Sequence, residues 1–242
     1  MKIIHYTLFC ALAFGFTACQ KEPVTKPVKF TSTVYQTLAT YDATGKPSNL
    51  ESESISSDLL SFSTTSLPEK QDLRTTNPGL LSSSNTNDIT LTKKADIYLT
   101  FVSQGTGFSN AIAFYTYPSN QPPASPKDIA TITYVFPNAG FATPLKSGDK
   151  VKIGTFDPGT SVGFVLLQDA WNRETKKLNN EAVHFCYNDA LNPEVNPNLK
   201  KHVVLMNYTQ ENKILIGFED LDRTSDQCDH DFNDVVLHAT IK

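Results

Sequence analysis

The sequence predicts an all-β protein, an antiparallel β-sandwich of the jelly-roll type with one short helix near its N-terminus. From Ile89 onward, short apolar runs recur at roughly ten- to fifteen-residue intervals between Gly, Pro, Asn and Asp. No amphipathic helices alternate with these runs, which argues against a parallel α/β sheet. Many short strands joined by Gly- and Pro-containing turns favour a sandwich over a closed barrel. The predicted sandwich domain covers residues 89–242.

The strands are predicted from runs that are apolar or that alternate with period two, as strands with a buried face do. In order, these runs are ITLTKKADIYLTFVS, AIAFYTY, IATITYVF, KVKIGTF, SVGFVLLQDAW, VHFCYN, HVVLMNY, KILIGFED and DVVLHATI. A chain of 242 residues with 39% hydrophobic content can bury one such core and still carry segments outside it.

The first residues are typical of a bacterial lipoprotein signal peptide, predicted to cover residues 1–18. Lys2 supplies the charged start, an apolar run follows, and Thr17-Ala18-Cys19 forms a small-residue cleavage site ending in cysteine. We therefore expect Cys19 to be lipidated and to attach the protein to a membrane. The alternative, a transmembrane anchor, is disfavoured because crossing a bilayer takes about 20 apolar residues. The QKE after Cys19 is similar to a bacterial lipoprotein export tag, which predicts an outer-membrane lipoprotein displayed at the cell surface.

Two segments precede the predicted sandwich. Residues 19–40 are predicted to be a lipidated cysteine followed by a Pro- and Lys-containing tether. Residues 41–88 are predicted to be an extension with one short helix and a Ser/Thr/Asn-rich loop, RTTNPGLLSSSNTND.

The helix of the extension is predicted from the spacing of its apolar residues. Ile55, Leu59 and Phe62 lie three to four residues apart, which is the repeat of one helix face. Ser56 or Ser57 is the expected N-cap, since a serine side chain accepts from the free amides of the first turn.

Charge and composition argue against a nucleic-acid partner. The formal net charge is −4, the pI is about 5.7, and no run of lysine or arginine appears. A surface that binds phosphates needs a cluster of cations.

Two cysteines remain for the mature protein, because Cys10 lies in the signal and Cys19 carries the lipid. Cys186 and Cys228 both lie beside polar loops, in a chain expected to reach an oxidising compartment. The sequence leaves two alternatives open: a disulfide between them, or two separate buried thiols.

The most acidic stretch joins the last two predicted strands. EDLDRTSDQCDHDFND contains seven acidic residues and a single cation, Arg223. Alternation places Ile214, Ile216 and Phe218 on one face of the first strand, and the second strand alternates in the same way from Val235 to Ile241. If these strands pair, the connecting loop folds back and the acidic side chains at its two ends come together.

Crowded carboxylates predict a bound cation. Carboxylates within about 4–6 Å of one another raise each other's pKa and destabilise a fold unless they are neutralised. Ca²⁺ takes about six to eight oxygen ligands from carboxylates, amides, carbonyls and water. We therefore predict a calcium site with the ligands Glu219, Asp220, Asp229, Asp231, Asn233 and Asp234.

The acidic stretch is similar to the opening of an EF-hand loop and then departs from it. Asp229, Asp231 and Asn233 have the spacing of the first ligands, but Asp234 replaces the turn glycine and Thr240 replaces the bidentate glutamate. The prediction is thus a β-hairpin site. A solvated acidic turn without metal remains an alternative.

Catalysis is the second alternative for the acidic residues. Glu219 with Asp231 or Asp234 could form the acid/base pair of a glycosidase-like hydrolase, whose carboxyl groups lie about 5–9.5 Å apart. Such an enzyme also needs an aromatic-lined cleft, and the chain has one tryptophan. His230 as a zinc ligand is a third alternative, since imidazole suits transition metals.

Two stretches are candidates for ligand binding: FYTYPSNQPPASP, with Tyr117, and LQDAWN, with Asp169 and Trp171. An aromatic ring beside amide and carboxylate groups is a common arrangement for holding a sugar, so a glycan or a surface protein is the expected partner. Core packing is the alternative reading for each residue, because a lone tryptophan in a sandwich is usually buried.

IGFEDLDRTSDQCDHDFNDVVL resembles the signature of the LruC-type domain, a bacterial family of unknown function whose members tend to end in GFED…D-x-D-F-N-D. The similarity extends upstream to roughly Tyr41, and Ser48-Asn49 departs from the Asp-Tyr pair that relatives often carry. The resemblance implies a β-rich, envelope-anchored protein in which Glu219, Asp220, Asp231, Asn233 and Asp234 are functional. It implies no established activity. The combined expectation is a calcium-binding envelope lipoprotein with a structural, adhesive or ligand-binding role.

Overall fold

Two β-sheets packed face to face make up the fold. The structure is a computed structural model that describes residues 29–82 and 88–242. The predicted signal peptide, Cys19 and residues 20–28 of the predicted tether lie outside the described residues, as does part of the Ser/Asn-rich loop.

The strands are short, as the sequence predicts. They are β1 Val34–Thr37, β2 Glu51–Ser52, β3 Ile89–Thr90, β4 Ala95–Gln104, β5 Ala111–Pro118, β6 Thr131–Phe136, β7 Asp149–Phe156, β8 Thr160–Leu167, β9 Trp171–Asn172, β10 Lys177–Leu178, β11 His184–Cys186, β12 Val203–Tyr208, β13 Lys213–Phe218 and β14 Val235–Ile241. The helices are α1 Ser57–Ser66 and α2 Leu73–Thr76, with 3-10 turns at Pro78–Leu81, Pro126–Asp128, Asp189–Leu191 and Pro197–Leu199.

Sheet 1 has the strand order β1-β6-β5-β8-β11, with β3 also paired to β8, and sheet 2 has the order β12-β13-β14-β4-β7-β2. Strands β9 and β10 form a separate hairpin. Among the described strands, β1 and β6 pair in parallel and the other pairs are antiparallel. The predicted all-β sandwich is confirmed, with one parallel pair at its edge.

The main core lies between the two sheets. It takes alternate residues from the inner faces of both, so that Phe164 of β8 and Phe114 of β5 share one cluster with Leu99 of β4. The faces predicted for the last two strands are confirmed, since Ile216 and Leu237 contribute to this cluster.

Helix α1 covers the outer face of sheet 2. The side chain of Ser56 accepts a hydrogen bond from Leu59 N at 3.0 Å, which confirms the predicted N-cap. Leu59 is fully buried, and the predicted neighbours Ile55 and Phe62 pack against the same cluster. The other members of this cluster are Leu67, Leu73, Val102, Val204, Met206, Tyr208, Leu215, Phe232 and Val236.

Segments of the predicted tether and extension pair or pack with the two sheets. Strand β1 lies in the predicted tether, yet it pairs with β6, and the nearby Phe30 is buried. In the predicted extension, β2 pairs with β7 and α1 packs on sheet 2. These segments bury apolar side chains against the sheets, so they belong to the same folded unit as residues 89–242.

The described cysteines are not bridged. Cys186 lies on β11 in a cluster on the outer face of sheet 1, while Cys228 lies in the acidic connection after β13, and both are buried free thiols. The predicted alternative of a disulfide is therefore contradicted, and the alternative of two separate thiols is the one observed.

A search of the described helices for membrane spans gives a negative result. None of them is both long enough and apolar enough to cross a bilayer.

Candidate metal centre

The acidic residues lie at the open end of the hairpin formed by β13 and β14. Phe218 and Val235 are paired residues at the ends of these strands, so the connection leaves and returns at the same place. The backbone amide of Asp220 donates to Asp234 Oδ2 at 2.8 Å. The structure thus brings the two ends of the predicted acidic loop together.

Five of the six predicted ligands form two groups of three carboxylates. In each group, one oxygen from each side chain lies within 4.8 Å of the others. The outer trio, as we name it, is Glu219, Asp229 and Asp231, and the inner trio is Glu219, Asp220 and Asp234. Glu219 belongs to both.

These carboxylates are unusually buried for their type. Glu219 and Asp220 are each 1% exposed and Asp231 is 2% exposed, whereas Asp229 is exposed. Glu219 Oε1 accepts from Leu221 N at 3.3 Å. No N–H or O–H group of the described residues donates to Glu219 Oε2, although that oxygen is fully buried. A buried acceptor without a donor costs about 1–3 kcal/mol, and more when it is ionised. A bound cation would compensate this cost.

Residues of the connection between β4 and β5 hold Asp220 in place. Thr106 Oγ1 and Asn110 Nδ2 both donate to Asp220 Oδ2, and Gln168 Nε2 donates to its carbonyl oxygen at 2.6 Å. Sequence reasoning missed these residues because single polar residues in loops follow no periodic pattern. A carboxylate fixed in this way is preorganised for a ligand.

Asp231 is positioned from both sides along the chain. His230 and Phe232 adopt φ angles of 58° and 60°, a left-handed conformation that few residues other than glycine take up. Phe232 is fully buried under α1, which holds the loop in this shape. The backbone amide of Lys70 donates to Asp231 Oδ2 at 2.7 Å, so the segment after α1 closes one side of the site.

Asn233, the sixth predicted ligand, has a different position from the carboxylates. Its side-chain amide donates to Leu67 O at 3.5 Å. Its Oδ1 lies so close to Gly105 that a Cβ added to that glycine would be 2.7 Å away from it. Its backbone amide donates to Asp231 Oδ1 at 3.1 Å. The contacts of Asn233 thus orient the loop and Asp231.

Arg223, the single cation of the acidic stretch, forms its hydrogen bonds with groups other than the carboxylates of the two trios. It is 2% exposed and donates to Lys201 O at 3.0 Å and to His230 Nδ1 at 3.2 Å. Within the described residues it forms no ion pair within 4.0 Å. His230 supplies no charge either, because burial and the neighbouring arginines lower its pKa to about 4. It also belongs to neither trio of the described residues.

Without a cation, the buried carboxylates favour their protonated forms. Burial, followed by the charges of Asp220 and Glu219, raises the pKa of Asp234 to about 10. Burial raises the pKa of Glu219 to about 7, opposed by His202 and by a hydrogen bond with the Cys228 thiol and helped by Asp229 and Asp220. Burial also raises the pKa of Asp220 and of Asp231. A metal that binds here must displace protons, so its binding is favoured by rising pH.

We expect the metal-free protein to lose stability as the pH rises. The pKa values of Glu219 and Asp234 lie above those of an unfolded chain, about 4, so the folded state holds the extra protons. That stability is fully present below about pH 4 and is lost as the pH rises through about 7 and then about 10. Urea unfolding in excess chelator at about pH 5, 7 and 9 measures it. A free energy of unfolding that increases over this range would contradict the assignment.

The predicted ligand-binding residues Tyr117, Asp169 and Trp171 do not form one site. Trp171 is 2% exposed, with its ring edge against Tyr41. Asp169 accepts from Ser109 N at 3.0 Å, near the start of β5. Tyr117 lies at the other end of that strand, about 20 Å away at ~3.3 Å per residue. Its hydroxyl donates to Asp88.

These contacts assign structural roles to two of the three residues. Asn110 Oδ1 accepts from Asp169 N at 3.0 Å, and the same side chain holds Asp220 through Nδ2. Asp169 is therefore linked through Asn110 to the acidic cluster. Trp171 is a core residue, because so little of its ring reaches solvent.

Comparison with known families gives a match that covers the acidic cluster. Residues 156–242 match a domain of unknown function, DUF4114. The matched region runs from the end of β7 through β14 and contains both trios. No curated protein and no solved structure matches the chain.

Proposed function

We propose that this protein is a calcium-binding β-sandwich whose C-terminal hairpin is fixed by the bound cation. The observation that carries the proposal is Glu219, a 1% exposed carboxylate that belongs to both trios and whose Oε2 receives no N–H or O–H donor from the described residues. A divalent cation supplies the missing positive partner.

The chemistry of the donor set favours calcium over other metals. Both trios consist of carboxylate oxygens only, whereas zinc and copper sites favour histidine and cysteine. Oxygens within 4.8 Å of one another suit an ion with Ca–O distances of about 2.3–2.6 Å, since opposite ligands then lie roughly 5 Å apart. Mg²⁺ is smaller and demands octahedral geometry with several waters, which suits a buried cluster less well.

A bound cation would connect three parts of the chain. Asp220 is held by the β4–β5 connection, Asp231 by the amide of Lys70, and Asp234 leads directly into β14. The role that this arrangement supports best is structural stiffening of one end of the sandwich. The hydrolase alternative is weaker, because a general acid must reach its substrate and Glu219 is 1% exposed.

We extend the proposal to the cell envelope. The lipoprotein-type N-terminus, with Cys19 as lipidation site, supports attachment to the outer membrane, and the LruC-type signature supports the same location. At such a surface, a stiffened sandwich would act as an adhesive or accessory module that contacts a glycan or another surface protein.

Isothermal titration with Ca²⁺ tests the metal proposal. We expect saturable binding of Ca²⁺ to the chelator-treated protein. Binding should be lost in Glu219→Gln, because this substitution keeps the side-chain shape and removes the charge. The matched control is Asp226→Asn, an exposed acid of the same loop that belongs to neither trio. Equal binding by both variants, or none by the unmodified protein, would refute the proposal.

A further inference from the structure

The arrangement of the two trios goes beyond a single calcium site. Within each trio, one oxygen from each side chain lies within 4.8 Å of the others, whereas the five carboxylates together do not form one such group. We propose that the centre binds two cations bridged by Glu219: an inner ion between Asp220 and Asp234, and an outer ion between Asp229 and Asp231. The inference rests on the proposed calcium function and adds a second, chemically different position.

Charge balance favours two ions over one. The five carboxylates carry five formal negative charges when ionised, and the nearby Arg223 forms no ion pair with them. One divalent cation would leave three of these carboxylates to be neutralised by retained protons or, at the exposed Asp229, by solvent. Two cations leave one, which water and neighbouring amides can solvate. Uncompensated charge of this kind is costly because the interior screens it poorly.

Glu219 provides an independent argument from its hydrogen bonds. A carboxylate has two oxygens and can therefore bridge two cations. Oε1 accepts one long hydrogen bond, from Leu221 N at 3.3 Å, and Oε2 accepts none from an N–H or O–H group of the described residues. Asp220 and Asp231, by contrast, each accept two or more hydrogen bonds. The Cys228 thiol, a weak donor, is a further hydrogen-bond partner of the Glu219 carboxylate. The residue shared by both trios is thus the one with the weakest set of donors among Glu219, Asp220 and Asp231.

The two positions differ in their access to solvent. Inner-trio members Glu219 and Asp220 are each 1% exposed, and Thr106 and Asn110 orient Asp220. In the outer trio, Asp229 is exposed. An ion there keeps coordination positions for water, or for an oxygen ligand from a partner. Asp234 of the inner trio is half-buried, so this trio has no fully exposed member. We therefore expect the inner ion to bind more tightly, by about tenfold or more, because all its ligands are at least half-buried and two side-chain donors hold Asp220.

Stoichiometry separates the alternatives. Native mass spectrometry and calorimetric titration of the purified protein with CaCl₂ should give two ions per chain, bound in two steps. Asp229→Asn should retain one ion with the tighter affinity, because it alters only the outer, exposed ligand. Asp220→Asn should retain one ion with the weaker affinity, and Glu219→Gln should lose both. Asp226→Asn, the control in the same loop, should still bind two.

The outcomes also separate this inference from the proposed function. One ion in the unmodified protein, or two ions in Asp229→Asn, overturns the two-cation inference and leaves calcium binding intact. No ion at all overturns both. Asp220 is buried, so its variant is interpreted only if circular dichroism shows it folded; Asp229 is exposed, and its variant alone is sufficient to decide.

Discussion

Adding Ca²⁺ to the chelator-treated protein is expected to raise its melting temperature by about 5–15 °C. An ion at about 100 to 1,000 times its dissociation constant stabilises the folded state by about 2.7–4.1 kcal/mol. For a domain of about 150–250 residues, each kcal/mol shifts the melting temperature by about 2–4 °C. The physical reason is that the ion binds the buried carboxylates only when the chain is folded. Differential scanning calorimetry with and without CaCl₂ measures the shift.

Glu219→Gln provides the sharpest control for this prediction. The neutral amide removes a buried charge, so the metal-free variant should be at least as stable as the metal-free unmodified protein. It should show no response to Ca²⁺, whereas Asp226→Asn should respond fully. A calcium response that survives in Glu219→Gln would place the ion elsewhere.

Phe232→Ala is expected to destabilise the protein by about 3–5 kcal/mol, the usual cost of emptying a large core position. Phe232 is fully buried in the cluster under α1 and adopts a left-handed backbone conformation beside Asp231. Removing the ring frees the loop, so calcium affinity should fall together with stability. Urea unfolding gives the first quantity and calorimetric titration the second.

Phe141→Ala is the matched control, because Phe141 is 45% exposed and contacts the guanidinium of Arg173. Substitutions at such exposed positions usually change stability by no more than about 0.5 kcal/mol. If Phe232→Ala were equally mild, the acidic loop would not depend on this anchor.

The sandwich was predictable because the residue pattern of each strand indicates which of its two faces is buried. In KILIGF, alternate apolar residues face the two clusters on either side of sheet 2: Ile216 and Phe218 lie between the sheets, and Leu215 lies under α1. Period-two alternation is a property of one strand's own sequence, so it can be recognised without knowing which strands pair with it. The Ser56 cap was predictable for the same reason, since it contacts an amide three residues away.

The supports of the metal centre were not predictable, since they come from distant parts of the chain. Thr106, Asn110 and Lys70 meet the acidic loop only through the tertiary fold, and the Lys70 contact uses the backbone, which leaves no trace in residue type. The pairing of β1 and β2 with the sheets was not predictable for a related reason. Strand β1 is short and mostly polar, and it joins the sheet through backbone hydrogen bonds.

For two pairs of residues the sequence left two ordinary uses open, and the structure shows their contacts. Trp171 and Asp169 were grouped as a ligand surface, but burial and hydrogen bonds make them structural. Cys186 and Cys228 were close enough in sequence context to suggest a bridge, but they lie in different parts of the fold. The acidic stretch predicted that its side chains lie close together, and the structure brings five of them into two overlapping groups.

A crystal structure grown in CaCl₂, with anomalous diffraction data, tests the central claim most directly. The account predicts anomalous density within about 2.3–2.6 Å of Glu219 Oε2 and of oxygens from the two trios. Density absent there, with Glu219 Oε2 instead hydrogen-bonded to water or to a protein donor, would contradict the account.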